Sequence, residues 1–312
     1  MNSFLASIPY FFRLRHIADG VLLIDIRLRV QSFRDVDSHV DFWGVKMKKR
    51  GALALLLLIL GITCCAIPLL YGKNNHSVSP DCIGDHHVAH VNGVDIFYEE
   101  AGNGKPVILL HGNGGSHRDL SATTAQLVKA GYKVYAVDSR GQGSSSSVAD
   151  YHYSDMADDV YELIRVWHLE KPALYGWSDG GIIGLLLEIN HPGSLGLLAV
   201  SGANVNPDGI KGFYAMPISV ANAIHSQSLT DMILNEPDIT EEELGSIRIP
   251  VLVTAGSDDM IKTEHTEMIA ESIPDAELVI YDGENHGSYI LGSEKIGNEL
   301  IRFLKENDYW QY

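Results

Sequence analysis

Ala173-Leu174-Tyr175-Gly176-Trp177-Ser178-Asp179-Gly180-Gly181-Ile182-Ile183-Gly184 is the stretch on which the reading of this chain turns. A short apolar run enters Gly176-Trp177-Ser178-Asp179-Gly180, and an apolar helical pattern leaves it. That is the strand, sharp turn and helix of a G-x-S-x-G elbow, with Ser178 as candidate nucleophile. A serine at such a turn lifts its hydroxyl from a strained backbone, and glycines two residues either side let strand and helix approach without side-chain collision. Alone, three fixed positions in five recur by chance in ordinary glycine-containing loops, so the reading needs partners elsewhere.

Working outward, short apolar runs alternate with helical patterns. Strands are expected at 106–112, 133–137, 173–175, 197–201, 251–255 and 277–281, and helices at 118–130, 154–167, 181–190, 264–272 and 289–305. Such βα alternation implies a mainly parallel sheet covered on both faces. Ahead of it, His87–Val91 and Val94–Glu100 flank Asn92-Gly93, a strong hairpin signal. Between Asn204 and Arg248 the rhythm breaks. Pro207, Pro217 and Pro237, two weak helical segments and the acidic run Glu241–Glu243 read as a cap inserted over the sheet.

The 312 residues are 46% hydrophobic and 20% charged, enough for one sizeable core plus an appendage. A net charge of −17 disfavours a nucleic-acid partner, which needs concentrated basic surface. Cys64, Cys65 and Cys82 form no CxxC or Cys/His ligand spacing, so neither a zinc site nor a disulfide framework is indicated. Residues 1–46 carry no recognised motif or structure. Ala52–Leu70 is a charge-free, leucine-rich run long enough to cross a bilayer core. Lys46, Lys48, Lys49 and Arg50 precede it and Lys73 follows, which keeps the N-terminus cytoplasmic and exports the remainder. The expected layout is an extension over 1–46, a transmembrane signal anchor over 47–71, a linker over 72–85, and a globular domain over 86–312 with its cap at about 204–248. Met47-Lys48-Lys49-Arg50 resembles a signal-sequence start, which would make 1–46 an upstream extension.

Five segments in order carry a resemblance. They are His111-Gly112-Asn113-Gly114-Gly115, Asp138-Ser139-Arg140-Gly141-Gln142-Gly143-Ser144, the elbow itself, Gly256-Ser257-Asp258-Asp259, and Asn285-His286-Gly287. From about His86 onward the chain resembles an α/β-hydrolase, with an elbow similar to those of biphenyl-hydrolase-like and valacyclovirase-type esterases. The resemblance implies an α/β-hydrolase fold: a mostly parallel sheet flanked by helices, with a short cap and, here, an N-terminal transmembrane segment. It implies a triad in the order Ser178, Asp259, His286. Asp259 is preferred to Asp258 because the acid stands three residues after Gly256. The backbone N–H groups of Asn113 and Asp179 would form the oxyanion hole, with His111 shaping that loop; many relatives have Pro where Gly114 stands.

Asp138–Ser144 lacks the G-x-G-x-x-G spacing of a dinucleotide site, so no cofactor is expected, and no metal. Asp179 has two readings: an anion favoured at a helix N-terminus, or a carboxylate that holds a substrate ammonium, with Trp177 beside it. Tyr214, Met216 and Met232 could line the pocket or only pack the cap. The expected function is a membrane-anchored, extracytoplasmic serine hydrolase of small ester or amide substrates. A proline-iminopeptidase-like peptidase, an aminoacyl-ester hydrolase and a catalytically silent binding protein stand as alternatives.

Overall fold

A computed structural model describes residues 83–224 and 228–309, together with the backbone of four strands between residues 10 and 48. The chain divides into two compact units, Met1–Leu70 and Tyr71–Tyr312. In the first, β1 (Tyr10–His16) pairs antiparallel with β2 (Leu22–Leu28), and β3 (His39–Phe42) with β4 (Val45–Lys48). The sequence reading assigns no structure to 1–46. The signal of these hairpins is the alternation of apolar and charged residues, as in Phe12-Arg13-Leu14-Arg15 and Ile24-Asp25-Ile26-Arg27. The expected span 52–70 and most of the expected linker lie outside the described residues; among those described, no helix is long and apolar enough to cross a membrane.

The second unit is built on an eight-stranded sheet. β5 (Asp85–Val91) and β6 (Val94–Gly102) form the hairpin, its two-residue turn at Asn92 (φ 47°) and Gly93 (φ 78°) having the left-handed backbone a tight hairpin needs. β7 (Pro106–Leu110), β8 (Lys133–Val137), β9 (Ala173–Trp177), β10 (Leu197–Ser201), β11 (Val251–Gly256) and β12 (Ala276–Tyr281) follow. The spatial order is β12-β11-β10-β9-β7-β8-β6-β5, with β6 antiparallel to its two neighbours and every other pairing parallel.

The helices are α1 (Ser121–Lys129), α2 (Tyr153–Val166), α3 (Asp179–Asn190), α4 (Gly212–Ile224), α5 (Ser228–Asn235), α6 (Glu241–Leu244), α7 (Thr263–Ser272) and α8 (Lys295–Glu306). Period-two side-chain direction splits each strand between two cores. Val107 and Leu109 of β7 join α1 and α8, through Leu127, Leu300 and Phe303. Ile108 and Leu110 join α2, α3 and α7, through Val160, Leu185 and Ile269. Burying strands on both faces is what their unbroken apolar composition demands.

Two boundaries differ from expectation. The last helix starts at Lys295 rather than Tyr289, because Tyr289 and Ile290 are buried in a turn that Gly287 closes through its carbonyl. The cap holds three helices rather than two, the third being the short α6, opened by a capping box between Thr240 and Glu243.

Candidate active site

Every expected site residue lies at or beyond the C-terminal end of a parallel strand, where open α/β sheets form their crevices. Ser178 follows β9 directly and has φ 55° and ψ −115°, a conformation that costs a non-glycine residue about 1–3 kcal/mol. The elbow glycines hold it there. A Cβ on Gly176 would lie 2.0 Å from the Gly180 carbonyl oxygen, and one on Gly180 would lie 2.3 Å from that of Leu110. Strand, turn and helix thus touch backbone to backbone.

Ser178 Oγ lies 3.0 Å from His286 Nε2, and His286 Nδ1 lies 2.7 Å from Asp259 Oδ1. Asp259 is 1% exposed, whereas Asp258 is exposed and engages Glu284 only through its backbone N–H. Of the two neighbouring carboxylates, only Asp259 meets the imidazole. Burial would raise the Asp259 carboxyl, but its hydrogen bonds from His286 and from the Ile261 and Gly256 backbone outweigh that and leave it below the usual range. Since the carboxylate accepts at Nδ1, the Nδ1–H tautomer of His286 leaves Nε2 free to accept from the serine hydroxyl.

Two neighbours hold this imidazole in place. Trp177 donates its indole N–H to the His286 carbonyl at 2.9 Å. Gly202, at the end of β10 with φ 59°, passes so close that a Cβ there would stand 2.9 Å from both Nδ1 and Cε1 of the ring. The cap is stitched to the acid's loop, because Lys211 Nζ donates to the Asp259 carbonyl at 2.6 Å and Ile210 bridges Ile261.

The loop after β7 lies against the serine: a Cβ on Gly112 would stand 3.3 Å from Ser178 Cβ. His111 Nε2 accepts from the Ser139 N–H at 3.1 Å while its Nδ1 donates to the Gly112 carbonyl at 2.7 Å, so this buried imidazole is neutral and structural. Gly114, at φ 67°, donates its N–H to Gln142 Oε1 at 2.6 Å. A Cβ on Gly115 would meet Asp119 Oδ2 at 2.3 Å. The pair Gly114-Gly115 is therefore required by its own tight turn, whose rigidity comes from hydrogen bonds rather than from a proline ring. Among the described residues, no acceptor pairs with the backbone N–H of Asn113 or of Asp179. The second of these opens α3, where the helix dipole favours negative charge.

Asp179 is 4% exposed, and each carboxylate oxygen has a donor: Asn113 Nδ2 on Oδ2 at 2.8 Å, and the Tyr153 hydroxyl on Oδ1 at 2.9 Å. Burial raises its carboxyl above the usual value despite those bonds. Tyr153 escapes sequence reasoning, since a buried tyrosine at the start of α2 looks like a packing residue, and for Asn113 the sequence suggests only the backbone N–H and not this side-chain bond. Of the cap residues, Met232 is buried in the core and Tyr214 is partly exposed, while the Met216 side chain lies outside the described residues.

Away from the serine, His86, Glu99 and His117 converge, their potential ligand atoms all within 4.8 Å of one another. No sequence spacing announces this group, because two hairpin strands and a distant loop supply one residue each.

A sheet of this order with a serine elbow after its central strand is the α/β-hydrolase fold. Residues 103–238 match the family described as serine aminopeptidase, S33. The AB hydrolase superfamily protein YisY of Bacillus subtilis is 25% identical over 268 residues, covering 70% of this chain and 98% of that protein. The human serine hydrolase BPHL is 36% identical over 121 residues, covering 36% of this chain and 41% of its own length. The crystal structure of a bromoperoxidase from Bacillus anthracis superposes with a TM-score of 0.63 at 22% identity, over 71% of this chain and all of that one. Fold and comparisons together show that the chain has the α/β-hydrolase fold.

Proposed function

We propose that the chain is a serine hydrolase that cleaves carboxylic esters through an acyl-enzyme. The observation that carries this reading is the continuous path Ser178 Oγ, His286 Nε2, His286 Nδ1, Asp259 Oδ1, at 3.0 and 2.7 Å. Ser178 Oγ attacks the ester carbonyl while its proton passes to His286 Nε2, and Asp259 stabilises the imidazolium so formed. The tetrahedral oxyanion is met by the N–H groups of Asn113 and Asp179, each such donor contributing about 10²–10³ in rate. The imidazolium returns its proton to the leaving alkoxide, giving an alcohol and an acyl-serine. Water then adds to the acyl carbon, losing its proton to His286, and collapse releases the carboxylic acid and restores Ser178. A fluorophosphonate probe should label the protein stoichiometrically and fail on Ser178→Ala. A folded wild-type protein that never labels would favour a silent binding protein instead.

Asp179 favours a second reading, in which the substrate carries an ammonium group. Each of its oxygens has one donor and so keeps a lone pair, and a cation beside this buried carboxylate would be poorly screened. Aminoacyl esters cleaved no faster than matched acyl esters would eliminate it. The run 52–70 is proposed to tether the enzyme with its hydrolase domain outside the cytoplasm; release of the full chain from membranes by alkaline carbonate would remove that reading.

A further inference from the structure

The group of His86, Glu99 and His117 has no part in the ester chemistry above. His86 and Glu99 are directly paired across the β5–β6 hairpin, and His117 is in the short 3-10 turn His117–Leu120 that follows the glycine-rich loop. His86 Nε2 and Glu99 Oε2 stand 3.5 Å apart. That is too long for a hydrogen bond, yet it is close to the edge of a tetrahedron whose metal–ligand bonds are about 2.0–2.1 Å.

His117 is held from behind. Its Nδ1 lies 2.9 Å from Asp138 Oδ1, and its backbone N–H donates to the same oxygen at 2.6 Å. Asp138 is fully buried. A carboxylate accepting from Nδ1–H fixes the ring and commits Nε2 as the free nitrogen, the arrangement that supports imidazole ligands of zinc. Phe97 places its ring centroid 5.1 Å from both imidazoles and supplies an apolar wall.

Glu99 makes the case sharper. It is 6% exposed, and its carboxylate faces His86 Nε2 at 3.5 Å and lies within 4.8 Å of the nearest ligand nitrogen of His117. Two imidazole nitrogens and one carboxylate suit a borderline divalent ion far better than Mg²⁺ or Ca²⁺, which favour all-oxygen sites.

We propose that His86, Glu99 and His117 bind one Zn²⁺-class divalent ion, which clamps the β5–β6 hairpin to the turn after the glycine-rich loop. The fourth position faces outward beside His86, the most exposed of the three, and takes water. The ion adds a cross-link between segments that otherwise meet only by packing, so its effect is on stability.

The test strips the full chain with a chelator and titrates it with Zn²⁺, reading stoichiometry by calorimetry and Tm by thermal melting. Saturable one-to-one binding is expected, with Tm rising by about 5–10 °C at a hundredfold excess over Kd. Mg²⁺ should give no shift. His86→Ala and Glu99→Gln should each abolish the Zn²⁺-dependent rise, while His90→Ala, altering an exposed histidine paired with Asp95, should keep it. His86→Gln, on an exposed edge-strand position, serves if the alanine variant does not fold. Absence of saturable binding by the wild-type chain overturns the proposal, as does a Tm rise that survives both His86→Gln and Glu99→Gln. In the latter case the His86–Glu99 contact is an ordinary ion pair.

Discussion

Replacing Asp259 by asparagine isolates the charge of the acid from its geometry. Asp259 Oδ1 accepts from His286 Nδ1 at 2.7 Å and from the Ile261 N–H at 2.9 Å, whereas Oδ2 is buried without a donor. An asparagine amide can satisfy both donors only with its oxygen at the Oδ1 position, since the reverse orientation sets N–H against N–H. The His286 tautomer is then preserved, and what disappears is the attraction between carboxylate and imidazolium. At 2.7 Å and an effective dielectric near 20 that attraction is about 6 kcal/mol for full charges. Charge is only partly developed in the transition state, so about 4–5 kcal/mol is lost, or between about 10³ and 10⁴ in kcat. The neutral ground state does not feel the loss, so KM should hardly move. The assay is steady-state hydrolysis of a chromogenic short-chain ester, with Asp258→Asn alongside and expected within about twofold of wild type, as for exposed sites. A loss below tenfold in Asp259→Asn, or a larger loss in Asp258→Asn, would refute the assignment.

Gly202→Ala should cost at least about a hundredfold in fluorophosphonate labelling rate, because the new methyl displaces the His286 ring; wild-type labelling of the purified variant would contradict the close approach. Trp177→Phe removes the donor to the His286 carbonyl and should lower kcat about tenfold, measured against an unchanged circular dichroism spectrum. Asp138 and Asp259 have depressed carboxyl values, so the stability they add is fully present above the ordinary aspartate value of about 3.9 and is lost as pH falls through their lower folded values; acid titration of Tm should show that loss, weakened in Asp138→Asn. Asp179 has the opposite sign. Its raised value means the ionised form weighs against the fold as pH rises past the ordinary aspartate value, so Asp179→Asn should gain in Tm relative to wild type from acid to neutral pH, and a constant difference would argue against it.

The parts of this molecule that were legible in advance are those fixed by local chemistry. Asn92-Gly93 specifies a hairpin turn by itself, and the glycines around Ser178 declare a backbone contact that the close approaches at Gly176 and Gly180 explain. Period and length alone locate β7 to β11 because these strands are buried on both faces, while β12, at the edge of the sheet, is marked by its short apolar run although it stays partly exposed. Where distant segments meet without a recognisable motif such as those around Ser178, Asp259 and His286, the sequence is silent. Tyr153 reaches Asp179 from a helix that a Met-and-acid pattern marks only as amphipathic, and His86, Glu99 and His117 meet only after the hairpin register is set. Tyr289 illustrates a boundary error of a different kind: Tyr289-Ile290-Leu291 reads as the first apolar turn of the last helix, but it is buried in a separate turn, and Gly292-Ser293-Glu294 intervene before α8 begins.

Far from the serine, at the opposite end of the same strand, Tyr309 accepts from the Ala173 N–H at 2.9 Å and donates to the Pro106 carbonyl at 2.8 Å. It therefore ties together the starting ends of β7 and β9, two strands that are neighbours in space but separated in sequence by α1, β8 and α2. During synthesis that tie cannot form until residue 309 has left the ribosome. A nascent chain arrested short of that point would hold every residue of the Ser178 site while the foot of its central strand rested on the β7–β9 pairing alone for its link to β7.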